Sequence, residues 1–389
     1  ALALASFEEV LLIDDEWPAA IAALHDLFDD LRKQGHWRGT PTRDMAEADH
    51  MLSIAEKVTA KLPEGHLAKS LISTALTYQG RVFDTRSMDS RDAEDAFNSL
   101  TRSYNVSQSV FAANSKLPRP ARDLSISLIY LADFLGQRDQ PNNSEKANAY
   151  FQHSLEILEK LLSANPDDAQ AARDVYVCLV KFGNFLVSRD QPGDAENALD
   201  YYQRSLKITE KLHAKNPDSA EAVRDLSVSL ERLGSFLAHR GQPGDIEMAL
   251  GYHQRDLEIS EKILTTKQDS TEALRDVVVS LQNLGILLSE RNQSGDYDKA
   301  TQYFDRGLQI TESLLKNNPD SGLAASDLAA ICEQYGNHAE RTGKGDAQAW
   351  WRRAFEILNG MKQKDMPLKS KHQESLETLR GKLKGTGTQ

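Results

Sequence analysis

Residues 216–264 read NPDSAEAVRDLSVSLERLGSFLAHRGQPGDIEMALGYHQRDLEISEKIL, and nearly the same text is written again on either side of them. The neighbours Arg224 and Asp225 recur as Arg122 and Asp123, Arg173 and Asp174, and Arg275 and Asp276, each step being 51 residues. Gly234 recurs as Gly183, Gly285 and Gly336. A fixed period of this size marks a solenoid, in which each repeat is one supersecondary unit stacked on its neighbours. Within the unit, Asn216, Pro217 and Asp218 supply an N-cap and a first-turn proline, predicting a first helix over about 219–239. Val223, Leu226, Leu230, Leu233 and Leu237 keep a spacing of three and four, so one face is buried. Gly241, Pro243 and Gly244 end that helix, and Asp245 is the expected cap of a second one. The second helix carries Ala249, Tyr252, Leu257, Ile259 and Ile263 on its predicted apolar side. Neither helix buries its stripe alone, so the hairpins must stack.

Outward from this unit, LEISEKI at 257–263 is echoed by LKITEKL at 206–212, LEILEKL at 155–161 and LQITESL at 308–314. LSIAEKV at 52–58 matches as well, which places the start of the array well before its first Arg-Asp mark. Residues 66–115 hold a degenerate pair of helical patterns with Gly80, Ala93 and Phe97. Four well-formed units run from 120 to 316, and a shortened one from about 321 to 360. The expected organisation is degenerate helical repeats over 1–115, a regular array over 116–360, and a capping helix with a tail over 361–389. In that last part Leu368, His372, Leu376, Leu379 and Leu383 define one amphipathic helix covering the open end of the stack, and GTGTQ forms the tail. At the other end, FEEVLLIDDE at 7–16 resembles the opening of a response-regulator receiver domain, which would bring Asp14 and Asp15 to a magnesium ion. The alternative is an acidic helix start, with Pro18 in the first turn and Ile21, Leu24, Leu27, Phe28 and Leu31 at helical spacing up to Gly35.

The pattern of an apolar residue before glycine, then alanine, an aromatic four later and a small residue three after that is similar to the tetratricopeptide repeat. It stands here as Leu179, Phe182, Gly183, Ala198, Tyr202 and Ser205. It returns as Leu281, Leu284, Gly285, Ala300, Phe304 and Gly307, and as Gly336, Ala347, Trp351 and Ala354. Glycine and small residues let one helix approach its partner, while the aromatic fills the groove between pairs. Two departures stand out: the units exceed the family's usual period of about 34 residues, and one unit puts His253 at the aromatic position with Asp256 where a small residue belongs. The resemblance implies an all-α, right-handed superhelical solenoid of about seven antiparallel helical hairpins with a C-terminal capping helix. It also implies a concave surface lined by the first helices. Counted from each glycine, its inward positions are Val180 and Asn184, then Glu231, Ser235 and His239, then Gln282, Ile286 and Glu290, then Glu333, Asn337 and Arg341. The family's chaperone-binding version holds a terminal carboxylate with lysines and asparagines. Asn184 and Asn337 match it, but Val180 and Glu333 stand where lysine is needed, which disfavours an acidic ligand.

Composition narrows the chemistry. Lys and Arg total 46 against 58 for Asp and Glu, a net charge of -12 that repels nucleic acid phosphate and anionic membranes. No apolar run approaches the roughly 20 residues needed to span a bilayer. Cys178 and Cys332 each sit in an apolar helical pattern and read as reduced, packed thiols, as in the cytoplasm. The ten histidines form no HExxH or ligand-spaced cluster, so neither a metal nor a cofactor is expected. No GxxxxGK[ST], GxGxxG or GxSxG occurs in a strand-to-helix context, and no enzyme activity is expected. The Arg-Asp ladder reads as ion pairs between neighbouring units. The doublets Tyr150 and Phe151, Tyr201 and Tyr202, Tyr303 and Phe304, and Trp350 and Trp351 read as packing aromatics rather than base-stacking platforms. The functional expectation is a non-enzymatic scaffold that binds a partner protein or peptide bearing a basic segment along its concave surface. Asn184, Glu231, Ser235, His239, Gln282, Glu290, Glu333 and Asn337 are the candidate contacts. The alternative is a regulatory or sensor module of a larger bacterial signalling or effector protein.

Overall fold

A computed structural model describes residues 21–28, 41–63, 65–86, 90–138, 140–266, 270–364, 366 and 370–384. Asp14, Asp15, Pro18, Leu31, Gly35, Leu368 and the GTGTQ tail lie outside the described residues. Those described form helices and no strand. Helix α1 covers residues 21–28, and α2 covers Pro41–Lys61. The next two hairpins are α3 (His66–Arg86) with α4 (Ser90–Ala113), and α5 (Pro118–Gly136) with α6 (Asn143–Ala164). They are followed by α7 (Ala169–Arg189) with α8 (Asp194–Lys215), and α9 (Ala220–Arg240) with α10 (Asp245–Thr266). The last are α11 (Thr271–Arg291) with α12 (Asp296–Asn317), and α13 (Gly322–Thr342) with α14 (Ala347–Gln363). Helix α15 (Ser370–Lys384) closes the series. The hairpins and terminal helix among the described residues are those the repeats imply, and within each of the two units below helices pack on their neighbours as in a repeat solenoid. The chain divides into two compact units, Ala1–Ile208 and Thr209–Gln389.

The first helices follow the leucine spacing. Leu226, Leu230, Leu233 and Leu237 of α9 are all buried. Their start is shifted from the expectation: Ser219, not the Asn-Pro-Asp segment, is the N-cap, its hydroxyl accepting from the Ala222 amide at 3.2 Å. Asn216, Pro217 and Asp218 instead make the turn before it, closed by the Ser219 amide on the Asn216 carbonyl at 3.1 Å. Ser270 and Ser321 cap α11 and α13 in the same way.

The loop between the two helices also departs from the reading of Asp245 as a forward cap. Asp245 is the first residue of α10 and reaches back. Its carboxylate accepts from Arg240 Nε at 2.8 Å and Nη2 at 2.7 Å, and from the Gln242 amide at 2.9 Å. Arg189, Gln191 and Asp194 repeat the clamp, as do Arg291, Gln293 and Asp296. The turn inside the clamp needs two left-handed residues, supplied by Gly241 (φ 64°) and Gly244 (φ 87°). In each clamp the arginine's hydrogen bonds hold the aspartate below the usual carboxylate range.

The second helix of this unit is rotated from its predicted face. Ala249, His253, Asp256, Leu257 and Ser260 are buried, whereas Tyr252, Ile259 and Ile263 are half-buried. The cause is the close approach at Gly234, which admits one side chain of the partner helix: a Cβ there would lie 2.8 Å from His253 Nε2. Gly183 faces Tyr202 and Gly285 faces Phe304 in the same register. At Gly285 the space is closed by a fully buried ring, with Phe304 Cε1 and Cζ both 2.7 Å from where the methyl group of an alanine would lie. Gly285→Leu is therefore expected to cost about 1–3 kcal/mol through overpacking. Chemical denaturation at neutral pH measures it, and an unchanged midpoint would mean that α11 and α12 separate freely.

Two sets of ion pairs join neighbouring hairpins. Along the first helices Arg122 pairs with Asp174, Arg275 with Asp327, and Arg224 with Glu272 at 2.6 Å, each arginine reaching forward by one repeat. Along the second helices the glutamate of the LxIxEK segment takes an arginine from the following hairpin. In the first unit Glu56 pairs with Arg102 at 2.9 Å and Glu159 with Arg204. In the second unit Glu210 pairs with Arg255 at 2.6 Å, Glu261 with Arg306 and Glu312 with Arg353. These outer pairs stand in water, so each contributes little and their regularity serves spacing. Cys178 and Cys332 are free and buried, and burial pushes both thiols up to about 12.

Candidate functional site

The inward positions fall into three groups. The first is engaged within its own hairpin. Asn184 Oδ1 accepts from the Tyr202 hydroxyl at 2.8 Å, and Asn337 Oδ1 accepts from Trp351 Nε1 at 3.1 Å. Both asparagines follow the packing glycine by one residue, so they sit beside the polar tip of the aromatic that the glycine admits. Where that aromatic is Phe304, the equivalent position is Ile286, packed in the same apolar cluster. The second group is Glu231, Ser235 and His239 on α9. Ser235 Oγ donates to Glu231 Oε1 at 3.3 Å, Arg232 Nε lies 3.1 Å from Glu231 Oε2, and the exposed His239 places Nδ1 2.7 Å from the Ser235 carbonyl. Gln282 on α11 is half-buried, and among the described residues its amide nitrogen has no hydrogen-bond partner.

The third group surrounds a cavity of about 380 Å³ within the second unit, at the end of the stack. Three of the candidate residues, Glu290, Glu333 and Asn337, line it, and Arg341 joins them. Helix α11 supplies one wall with Glu290, and α13 the floor with Glu333, Asn337 and His338. Helix α15 forms the opposite wall with Thr378 and Lys382. That wall was not among the sequence-derived candidates. Helix α15 is held there by Leu376 and Leu379, buried in one apolar cluster with Leu358 and Met361, and by His372 Nε2 at 2.8 Å from Ser326 Oγ.

The electrostatics of the cavity are uneven. Glu340 Oε2 is 2.7 Å from Lys382 Nζ, and Glu290 lies a longer 3.5 Å from Arg341. Burial raises the Glu333 carboxyl above its ordinary range, opposed by a Ser375 hydrogen bond and the nearby Lys382 charge. His338, 2% exposed, places Nδ1 2.6 Å from Ser289 Oγ and Nε2 3.2 Å from Thr301 Oγ1. The Ser289 hydroxyl also lies 2.7 Å from the Gly285 carbonyl, to which it donates, so His338 donates from Nδ1 and accepts at Nε2. Burial first, then Arg341 and Lys344, hold its pKa down, which favours the neutral ring. Lys382 Nζ is also 4.0 Å from the centre of the Trp351 ring and 3.2 Å from Asn337 Oδ1. Three carboxylates against two cations leave the lining net acidic.

Among the described residues, no group of three or more His, Cys, Asp or Glu is placed to hold a metal ion, and no helix is long and apolar enough to cross a membrane. No family model matches the chain. Protein NCA1 of Arabidopsis thaliana is 25% identical over 139 residues, covering 36% of this chain and 32% of that protein. The chain thus spans about a third of the length of the curated relative it matches. Among solved structures, the nuclear import adaptor Nro1 of S. pombe is similar at 12% identity and a TM-score of 0.49, over 81% of this chain and 99% of that one. A tetratricopeptide repeat protein from Parabacteroides merdae is similar at 12% identity and a TM-score of 0.44, over 92% and 98%. Glycine against aromatic in hairpin after hairpin accompanies a fold that, among the described residues, is an all-helical repeat solenoid similar to those of tetratricopeptide repeat structures.

Proposed function

We propose that the chain is a non-enzymatic interaction scaffold that binds a basic segment of a partner protein or peptide along the inward faces of its first helices. The observation that carries this reading is the open, net acidic cavity on those faces, lined by Glu290, Glu333 and Asn337. In the same reading Glu231, Ser235, His239 and Gln282 extend the contact surface, and Asn184 acts by positioning the Tyr202 ring. The net charge of -12 supports a basic protein ligand over nucleic acid, and the two buried thiols suit a cytoplasmic setting. Attraction between exposed charges is screened over about 8 Å at physiological ionic strength, so binding should weaken as salt rises.

The test is capture of partners on the full chain, followed by affinity measurement with Glu231→Lys and Glu290→Lys combined. A loss of about ten-fold or more at unchanged helicity is expected, given the coupling of charge pairs across interfaces. Equal affinity of the charge-reversed chain for the captured protein would move the contact off this face.

A further inference from the structure

Lys382 occupies an unusual position for a surface lysine. Its ammonium is met on three sides: by the Glu340 carboxylate at 2.7 Å, by the Asn337 side-chain oxygen at 3.2 Å, and by the face of Trp351 with 4.0 Å to the ring centre. An ammonium has three N–H donors, and two oxygens with one aromatic face take all three. The site is built from within: Trp351 is 3% exposed, its indole N–H fixes the Asn337 oxygen, and Gly336 is what lets the ring lie flat against α13. Glu333 lines the same cavity, and among the described residues it makes no ion pair.

The anchoring of α15 does not depend on this contact. Leu376, Leu379 and His372 hold the helix, while Lys382 sits in its last turn with its side chain 29% exposed. The Lys382 carbonyl accepts from Gln348 Nε2 at 3.3 Å and Leu383 packs beside it, so the ammonium can leave its partners while the backbone of this turn stays in place. Beside the ammonium lies the open volume of about 380 Å³, which gives an incoming side chain a way in.

We infer that the cage formed by Trp351, Asn337 and Glu340 is a recognition site for a lysine side chain of a partner protein segment, and that Lys382 fills it as a tethered placeholder. The inference rests on the scaffold reading and names the chemistry that its acidic groove selects. Lysine is favoured over arginine because the cage offers one carboxylate oxygen, one amide oxygen and one ring face around a point, whereas a guanidinium needs a planar fork of acceptors. A tethered competitor lowers the apparent affinity for an external ligand by the fraction of time that it vacates the site, so removing its charge uncovers the site.

The experiment uses the full chain with Lys382→Met, which keeps the apolar stem against Trp351 and removes the ammonium. The probe is Nα-acetyl-lysine methylamide, with the norleucine and arginine counterparts as controls. The readout is the Trp351 indole N–H resonance, identified by its loss in Trp351→Phe. Lys382→Met should bind the lysine probe at least about ten-fold more tightly than the parent chain. Norleucine should cause no shift, arginine should bind more weakly than lysine, and Glu340→Gln added to Lys382→Met should reverse the gain. No gain in Lys382→Met, or equal binding of norleucine, overturns the inference. Lys382→Gln repeats the test if the methionine variant does not fold. Because the probe is a small molecule, its failure leaves protein capture by Glu231 and Glu290 standing, and a failed capture leaves the probe result standing.

Discussion

Asp256→Asn is expected to be more favourable to the fold at pH 7.5 than at pH 4.5, by about 2 kcal/mol. Asp256 is 2% exposed, and burial, opposed by hydrogen bonds from Ser227 and Ser280, raises its carboxyl from 3.8 to about 6. The Glu231 and Asp276 charges push in the same direction as burial. A folded-state value above the unfolded one means that the native protein holds the proton more tightly. The group's contribution is therefore most favourable below 3.8 and is lost as the pH rises through about 6. Asparagine has the same shape and no charge to bury, and the Ser227 and Ser280 hydroxyls can accept from its amide as readily as they donate to the carboxylate. The neighbouring His253, held down to about 4 by burial, titrates in both proteins and cancels in the difference. Urea unfolding of the two proteins at both pH values gives the number. A difference that does not vary with pH would mean that water reaches the Asp256 carboxylate.

Asp296→Ala, at the start of α12, should cost about 2–4 kcal/mol. It strands the Arg291 guanidinium, which is mostly buried, and leaves the Gln293 amide without its acceptor. Arg291 retains some water, which keeps the loss below that of a fully enclosed pair. Asp296→Asn should cost less, because it preserves an oxygen for the Gln293 amide. The aspartate's folded value is depressed, so the stability it brings is present above the ordinary value of 3.8 and disappears as the pH falls through the folded one. The gap between parent and alanine variant should accordingly close on acidification below about pH 4. Thermal melts across roughly pH 3 to 7 would show this, and a gap that persists at the acid end would assign the loss to the uncharged hydrogen bonding of the side chain instead of its charge.

Much of this architecture was legible in the sequence because its strongest signals are local. Leucine spacing in α9 and the constant step between Gly183, Gly234 and Gly285 determine which helices touch. The aromatic opposite each glycine follows from the same contact. What escaped was the part that depends on rotation by a fraction of a turn. Tyr252 and His253 are adjacent, and only the close approach at Gly234 decides that His253 goes inside. Asp245 resembles a cap in sequence, yet its partner lies behind it because the two left-handed glycines fold the loop back. The glutamates of the LxIxEK segments were visible as a repeat, but their arginine partners lie 45 residues on in most pairs, a distance that only stacking explains. The cavity was half legible: Glu290, Glu333 and Asn337 come from the repeat register, whereas Lys382 follows a connection with no repeat signature.

The outer ion pairs have a consequence for how such a chain can grow. Every outer pair takes its acid from one hairpin and its base from the next, so the interface has a direction, and the three hairpins from α7 to α12 each carry one half of two different contacts. A tandem duplication that copies one whole period, for instance residues 216–266, inserts a hairpin whose glutamate and arginine both find counterparts already written into its neighbours. The loop clamp travels within the copy, and the packing glycine arrives with its own ring. Lengthening by whole periods thus requires no compensating substitution, whereas an insertion of any other length leaves an arginine opposite the wrong side chain at both of its borders.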